Sequence, residues 1–364
     1  MEEDEEKEEI WSWGAGTDGQ LGTGRLEDEL IPQLLQSSLF SAASPISTLA
    51  CGGAHVLALT SDGKVITWGR GTSGQLGHGD ILSCSQPSYV KSLDNFAISY
   101  VSAGWAYSAF VSDGGRLFTC GDGSFGQLGH GTYESHCSPV EVSFFGSKTV
   151  EQIACGMRHS LVLLKGGSID KVYGFGSGKR GQLGISKEKV RSICSPQAVS
   201  GFGNIGIVSI SANGDHSAAL SADGHLFTWG RSFNSKFDEC CPQNISSSLQ
   251  FTQVALGWSH ALALTSDGEV FMLGGRQHGM LSDPQKSNNV KLVSESSGEA
   301  VLEKVLGLDG VKVEQIAAGS GVIKTWGWGE HGQLGLGNTL DQTSPQVVGL
   351  GCQHRIRNPK SKID

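Results

Sequence analysis

The stretch WGAGTDGQLGTG at residues 13–24 returns as WGRGTSGQLGHG at 68–79, CGDGSFGQLGHG at 120–131, FGSGKRGQLGIS at 175–186 and WGWGEHGQLGLG at 326–337. Two further copies, WGRSFNSKFDEC at 229–240 and LGGRQHGMLSDP at 273–284, have diverged but keep their place in the series. The first residues of the seven copies are 55, 52, 55, 54, 44 and 53 residues apart. Similarity at such a period is typical of repeat architectures with one small structural unit per repeat. The sequence therefore predicts seven repeats.

A second segment precedes each copy from the second onward, as in ACGGAHVLALTSDGKVITWG at 50–69. It is typical of two strands joined by a turn, and we expect a two-residue hairpin turn at the Asp-Gly pairs 62–63, 113–114, 223–224 and 267–268. We find no helical periodicity in these units. A unit of about four short strands cannot bury both of its faces alone and must pack on its neighbours. We predict an all-β fold, a ring of seven blades.

The WGxGxxGQLGxG copies, each preceded by a segment like xCGxxHxxALTxDG, resemble the repeat of the regulator of chromosome condensation family over residues 10–350. The resemblance implies a seven-bladed β-propeller with a protein partner. Because the founding member of the family is a guanine nucleotide exchange factor for a Ran-type GTPase, the resemblance also implies that the partner is a Ran-like or other small GTPase. Residues 11–35 also resemble the secretion-regulating exchange factor branch. We expect an acidic disordered segment at 1–9 and a basic tail at 351–364.

The last repeat departs from this pattern. Gly52 precedes Trp68 by 16 residues, but Gly319 precedes Trp326 by only 7, so nine residues that would hold a strand and its turn are missing. After the last QLG, the sequence GCQHRIRNPKSKID does not resemble another strand pair. We therefore expect the propeller to be incomplete or distorted where the first and last repeats meet, as in a splice form or altered gene model. We also expect the unpaired strand edge there to reduce solubility.

Composition and charge exclude several classes of protein. The 53 glycines are about double the usual ~7%, but only 9 prolines accompany them, which excludes collagen. No apolar stretch approaches the roughly 20 residues that cross a bilayer, so we predict no membrane insertion. The net charge of −9 disfavours direct nucleic acid binding. The N-terminus lacks the features of a signal or transit peptide, which favours a cytoplasmic or nuclear protein.

The residues that suggest catalysis or cofactor binding have simpler interpretations. Five matches to GxGxxG recur with the repeat and precede QLG, not a helix that could hold a pyrophosphate, so we predict no nucleotide cofactor. The histidines that recur once per repeat are interpreted as hydrogen-bonded structural residues, and no catalytic triad accompanies them: His55, His159, His216 and His260, with Tyr107 in the same phase. Nine cysteines lack zinc-binding spacing, and we expect Cys51 and Cys155 to be reduced core residues. We see no active site that makes or breaks bonds.

Protein binding remains, since loops on a rigid scaffold carry recognition. The candidate contact residues are Trp105 and Trp258, in GWAYS and GWSHA, Arg158 in GMRHS, and the charged residues of an extended connector between Ser282 and Val313, namely Glu295, Glu299, Glu303 and Lys304. The same connector is also readily interpreted as a solvated loop. The two tryptophans lie three repeats apart and lack the arginine of the family's ultraviolet-B receptor motif, which favours simple packing. A small-GTPase exchange factor or regulator is the first hypothesis, a non-catalytic scaffold associated with chromatin the second, and an ultraviolet-B sensor the third.

Overall fold

The computed structural model describes residues 9–42, 44–166, 172–186, 188–233, 237–274, 302–308, 310–316, 324–327 and 329–348. These residues form antiparallel sheets joined by turns, with a single five-residue helix, α1 (Ser38–Ala42), and two short 3-10 turns at Lys91–Leu93 and Ser143–Phe145. The prediction of an all-β propeller is confirmed.

Repeats two to six each form a four-stranded antiparallel blade whose strands follow one another in sequence. The strands of repeat two are β3 (Ile46–Cys51), β4 (His55–Thr60), β5 (Val65–Gly69) and β6 (Cys84–Tyr89), and those of repeat three are β7 (Ile98–Ala103), β8 (Tyr107–Ser112), β9 (Leu117–Gly121) and β10 (His136–Glu141). Repeat four contains β11 (Val150–Cys155), β12 (His159–Leu164), β13 (Val172–Ser177) and β14 (Ser192–Ala198), and repeat five contains β15 (Ile207–Asn213), β16 (His216–Ser221), β17 (Leu226–Gly230) and β18 (Glu239–Asn244). Repeat six contains β19 (Phe251–Leu256), β20 (His260–Thr265), β21 (Val270–Gly274) and β22 (Leu302–Lys304).

Repeats one and seven differ from these blades. Their described residues form two-stranded sheets, β1 (Trp11–Gly14) with β2 (Glu29–Leu34), and β23 (Lys324–Gly327) with β24 (Gln342–Val347). Each sheet corresponds to the third and fourth strands of a complete blade. The expectation of seven blades is thus corrected to five four-stranded blades and two half-sized sheets in the described part of the chain, and the two sheets belong to the repeats where we expected the propeller to be incomplete or distorted.

The hairpins between second and third strands are one residue longer than predicted. In repeat two the Gly63 amide donates to the Thr60 carbonyl at 3.0 Å and the Thr60 amide to the Lys64 carbonyl at 2.9 Å. Three residues therefore lie between the paired positions. The glycine at the third place has a positive φ, but in repeat three that glycine is Gly115 (φ +76°), not the Gly114 of the predicted Asp-Gly pair. The turn position was correct and its length was wrong.

The apolar core lies between neighbouring blades. At equivalent places in the first strands of repeats three, four and five, Val101, Ile153 and Ile210 are 3%, 0% and 1% exposed. The equivalent Leu49 of repeat two is 45% exposed, because this face of repeat two points towards the two-stranded sheet of repeat one. We call this face of β3 and β4, marked by Leu49 and Val56, the seam.

The GQLG loop of one repeat is hydrogen-bonded to the next repeat. Indole nitrogens of Trp68 and Trp229 donate to the carbonyls of Gln20 and Gln182, each in the preceding repeat, at 3.0 and 2.9 Å. Trp13 of the first repeat makes the same bond, 3.0 Å long, to Gln333 of the last. The first and last repeats are therefore joined by the contact that joins neighbours elsewhere.

A glycine in the GQLG loop allows this close approach. Gly74 has a φ of +82°, and a Cβ there would lie 2.6 Å from the Cα of Cys137 in the next repeat. Only glycine fits both requirements. The glycine-rich loops are thus packing elements between repeats.

Candidate functional site

The connections of each blade emerge at two opposite faces. Because the strands are antiparallel and sequential, the turn between the first and second strands shares one face with the GQLG loop between the third and fourth strands. We call this the loop face. The hairpins and the connections from one blade to the next lie on the other face.

Trp105 and Trp258 meet on the loop face. Each lies in the turn between the first two strands of its blade, close to the central channel. Their ring centroids are 5.7 Å apart with the planes tilted by 50°, and they are 46% and 50% exposed. The separation of three repeats along the sequence does not keep them apart, because first strands line the channel and their turns converge at its mouth.

The turns that carry the two tryptophans are held by the preceding repeats. The Gly53 amide donates to the Trp105 carbonyl at 3.2 Å, and Nε2 of His216 lies 3.1 Å from the Trp258 carbonyl. The His216 ring also stacks on Phe233 with centroids 4.3 Å apart. The exposed indoles therefore stand on turns whose carbonyls are held by the preceding repeat, so little ordering is needed to present them to a partner.

Arg158 lies on the same face, in the corresponding turn of repeat four. Its guanidinium carbon lies 4.5 Å from the ring centroid of Phe125 in the GQLG loop of repeat three. Such a cation over an aromatic ring is weakly attractive and holds the side chain at the surface. Arg158 thus shares a face with the tryptophan pair.

The connector residues lie elsewhere. Glu303 and Lys304 belong to β22, the outer strand of repeat six, so these two are strand residues and the alternative of a solvated loop is wrong for them. Lys304 pairs with Glu269 at 2.6 Å, beside the hairpin of the face opposite the loop face. Glu295 and Glu299 lie outside the described residues. The structure therefore does not bring Glu303 and Lys304 to the tryptophan pair.

The recurring histidines connect neighbouring blades. Nε2 of His55 lies 3.0 Å from the Ser108 hydroxyl, and Nε2 of His159 lies 2.9 Å from the Ser217 hydroxyl. Those hydroxyls donate in turn to the carbonyls of the GQLG glutamines, at 2.6 and 2.7 Å. Tyr107 replaces histidine in repeat three, and its hydroxyl bonds to the carbonyl of His159. The interpretation as hydrogen-bonded structural residues is confirmed for His55, His159, His216 and Tyr107.

The serine hydroxyls determine which ring nitrogen of these histidines carries a hydrogen. Each serine hydroxyl donates its hydrogen to a glutamine carbonyl. In the bond between the histidine and the serine oxygen, Nε2 of the histidine must therefore be the donor. Nδ1 of His55 and of His159 is then an unprotonated nitrogen, buried without a partner in the described structure. Burial lowers the pKa of His55 to about 4 and that of His159 to about 3, so both are neutral near pH 7.

The described cysteines are free thiols that differ in burial. Cys155 is buried as predicted, but Cys51 is exposed at the end of β3, which corrects its placement in the core. No cluster of three or more metal-binding side chains occurs in these ranges, nor any helix long and apolar enough to cross a membrane. The strands β7, β11, β15 and β19 line a cavity of about 400 Å³ with neutral side chains.

The sequence did not single out the charge of the loop face. The GQLG loop of repeat four contains Lys179 and Arg180 and continues to Lys189 and Arg191. Comparison of the repeats in phase would have found this signal, since no other GQLG loop carries so many cations. Sequence alone could not show that Trp105 and Trp258 are neighbours.

Comparison with known proteins gives one family for nearly the whole chain. A family model described as the RCC1-like domain matches residues 9–360. The ultraviolet-B receptor of Arabidopsis thaliana is 30% identical over 312 residues, which cover 82% of this chain and 69% of the receptor. The secretion-regulating guanine nucleotide exchange factor of Bos taurus is also 30% identical, over 366 residues that cover 93% of this chain and 78% of that protein.

The fold is shared with a solved structure. Prp20p of Saccharomyces cerevisiae superimposes with a TM-score of 0.77 over 94% of this chain and 86% of that one, at 23% identity. A light receptor and an exchange factor are thus equally similar in sequence, and overall similarity does not choose between their activities.

Proposed function

The chain belongs to the RCC1-like domain family, and from that premise we propose that it is a protein-interaction propeller that acts as a guanine nucleotide exchange factor for a small GTPase. The exposed tryptophan pair on the loop face carries the proposal, because aromatic residues that protrude from a rigid surface are typical anchors of protein interfaces. The relation to the secretion-regulating exchange factor supports it over 93% of the chain. Prp20p, which shares the fold, binds Gsp1p and histones.

An exchange factor of this kind needs no bond chemistry. It binds the nucleotide-free GTPase more tightly than the loaded form, and linkage then requires that it weaken nucleotide binding by the same factor. In our proposal the Trp105 and Trp258 rings anchor the GTPase, and their turns, held by Gly53 and His216, keep them in place while the nucleotide leaves. We propose that this takes place in the cytoplasm or nucleus.

Release of a fluorescent GDP from purified Ran-, Rab- and Arf-type proteins tests this function. We expect the propeller to accelerate release from at least one of them, and the combined Trp105→Ala and Trp258→Ala variant to lose that acceleration. Phe144→Ala is the matched control, since Phe144 is 40% exposed in a connection on the opposite face. If a saturating amount of propeller leaves all release rates unchanged, the exchange function is excluded, and a non-catalytic scaffold becomes the function to test.

One observation favours a second candidate, ultraviolet-B sensing. Two indoles 5.7 Å apart can couple electronically, and the Arabidopsis receptor is 30% identical to this chain. The test is tryptophan fluorescence and oligomeric state before and after ultraviolet-B illumination, with Trp258→Phe as the comparison. Identical behaviour of both proteins in light and dark would exclude light sensing.

We also propose that the two half-sized sheets occupy the remaining two positions of a seven-bladed ring. The bond between Trp13 and Gln333 supports this, since its equivalents join neighbouring repeats. Cross-linking of cysteines introduced at Asp28 and His331, whose side chains lie 3.1 Å apart, would test closure in solution. Failure of the two to react with a short bifunctional maleimide, while cysteines introduced at Asp18 and Arg70 between repeats one and two are joined by it, would exclude closure.

A further inference from the structure

We propose that the loop face binds an acidic segment of a partner protein, with Trp105 and Trp258 receiving its apolar side chains and a row of cations in repeat four receiving its carboxylates. The proposal rests on the proposed function only in taking the loop face as the binding face. It does not require that the partner be a GTPase.

The row of cations runs outward from the channel. The Ser177 amide donates to the Arg158 carbonyl at 2.7 Å, and the next amide, of Gly178, donates to the Arg191 carbonyl at 3.2 Å. Arg158, Lys179 and Arg191 therefore follow one another across repeat four. We call these three residues the basic row.

The basic row is exposed and makes no ion pair with any described residue. Other cations of the loop face differ. Arg70 is held by Asp18 through two bonds of 2.9 and 2.6 Å, and Asp238 binds both Arg180 and Lys189. Asp18 neutralises Arg70, but the single charge of Asp238 offsets only one of its two cations, and Arg231 in repeat five is likewise exposed without an ion pair in the described structure. The basic row therefore contributes three of the positive charges that remain open to a partner, and all three lie in one repeat.

Two acids in turns that adjoin the basic row already accept hydrogen bonds. Asp122 accepts from Gln127 and Ser124 at 3.1 and 3.0 Å, and Asp215 accepts from Gln182 at 3.0 Å. Their charge reduces the local potential, but their oxygens are oriented towards these donors. Guanidinium groups without such a partner bind carboxylates through paired hydrogen bonds.

The chemistry of the face identifies the partner class. Exposed tryptophan beside arginine is the residue combination enriched at protein interfaces. Nucleic acid would need more cations than one row supplies, and the chain carries a net charge of −9. An acidic partner would be repelled by most of this surface and attracted at the basic row, which also fixes its orientation.

The probe for this proposal is a fluorescein-labelled synthetic peptide of alternating glutamate and phenylalanine, followed by fluorescence anisotropy with the full chain. We expect binding that weakens as salt rises and that drops about tenfold in the combined Arg158→Glu and Arg191→Glu variant. The Trp105→Ala and Trp258→Ala variant should lose a similar factor. A peptide with lysine in place of glutamate should bind the unaltered chain at least tenfold more weakly.

A charge-matched control separates local contact from net charge. Lys91→Glu combined with Lys165→Glu changes the net charge equally, but these exposed lysines lie on the face opposite the loop face. We expect this variant to keep peptide binding within about twofold. Equal losses in the two variants, absence of glutamate peptide binding, or tighter binding of single-stranded DNA than of the peptide would each overturn the proposal. GDP release is measured separately, so an inactive exchange assay with intact peptide binding would remove only the proposed function.

Discussion

The interface between repeats three and four and the seam next to repeat one are built from equivalent strands, yet one is closed and the other is open. Ile153 at the closed interface is fully buried, whereas Leu49 at the equivalent position of the seam is 45% exposed. The polar contacts differ in the same way. Ser160 and Ser217 bond across closed interfaces, while Val56 stands at their place in the seam. A repeat thus gains much of its stability from the strand pair of the preceding repeat.

The largest test of this difference is truncation of the two equivalent apolar residues. Ile153→Ala should lower the free energy of unfolding by about 2–5 kcal/mol, because it leaves a cavity between two blades. Leu49→Ala should cost under about 1 kcal/mol, because half of its side chain already meets water. Chemical denaturation of both variants measures this. Equal losses would mean that Leu49 is covered in solution, and the seam would then be closed.

Acid should weaken the closed interfaces through their histidines. The pKa of about 3 for His159 and about 4 for His55 lies below the value of about 6.5 expected in the unfolded chain. Between pH 6.5 and about 4 the unfolded chain therefore binds more protons, and the free energy of unfolding falls as pH decreases. Each pKa unit corresponds to about 1.4 kcal/mol.

Denaturant unfolding at several pH values tests this, with His159→Gln as the comparison. The variant should be less stable at pH 7 and should lose less stability between pH 6.5 and 4. A variant whose stability depends on pH as steeply as that of the unaltered chain would show that His159 is not buried and neutral.

A smaller effect is expected from the hydroxyl groups. Ser217→Ala removes the acceptor of His159 and the donor to the Gln182 carbonyl, and should cost about 1–3 kcal/mol. At the seam, Val56→Thr introduces a hydroxyl of nearly the same size where no histidine faces it within the described residues. That change should stay within about 0.5 kcal/mol. Thermal melting of both variants measures this. If Val56→Thr lowered the melting temperature more than Ser217→Ala, the expected difference between closed interface and seam would be wrong.

The smallest expected difference between two variants concerns the bond that joins the first and last repeats. Trp13→Phe and Trp68→Phe each remove one indole donor to a glutamine carbonyl, and each should cost about 1 kcal/mol. A similar loss in both would show that the first and last repeats are joined as firmly as repeats one and two. If Trp68→Phe destabilises the protein and Trp13→Phe does not, the half-sized sheets meet only loosely.

Much of this fold could be predicted because the same local signals recur. The spacing of the GQLG copies gives the number of units, and the Asp-Gly pairs place the hairpins. The misplaced glycine of repeat three shows the limit, since Gly114 and Gly115 both satisfy the pattern and only backbone geometry selects Gly115. The nine-residue shortfall before Trp326 predicted a defect at the junction of the first and last repeats. The exposure of Leu49 in repeat two follows instead from the two-stranded sheet of repeat one that it faces, and finding it required the packing of whole blades.

The candidate site was less predictable for a geometric reason. Trp105 and Trp258 are 153 residues apart in the sequence, and a ring brings them together only where its innermost turns converge. The sequence shows that both tryptophans occupy the same position within their repeats, but it does not show that they are in contact. The basic row requires the same knowledge, since Arg158 and Arg191 adjoin only through the backbone pairing beside Ser177.

The hydrogen bond from Trp13 to Gln333 spans 320 residues of chain. Closing so long a loop carries an entropic cost that only the stacking of the intervening blades can offset, so this contact should form at the end of folding. On the ribosome, the sheet of repeat one is synthesised long before that of repeat seven, and five complete blades are made in between. During that interval its edges are open to chaperones and to other nascent chains.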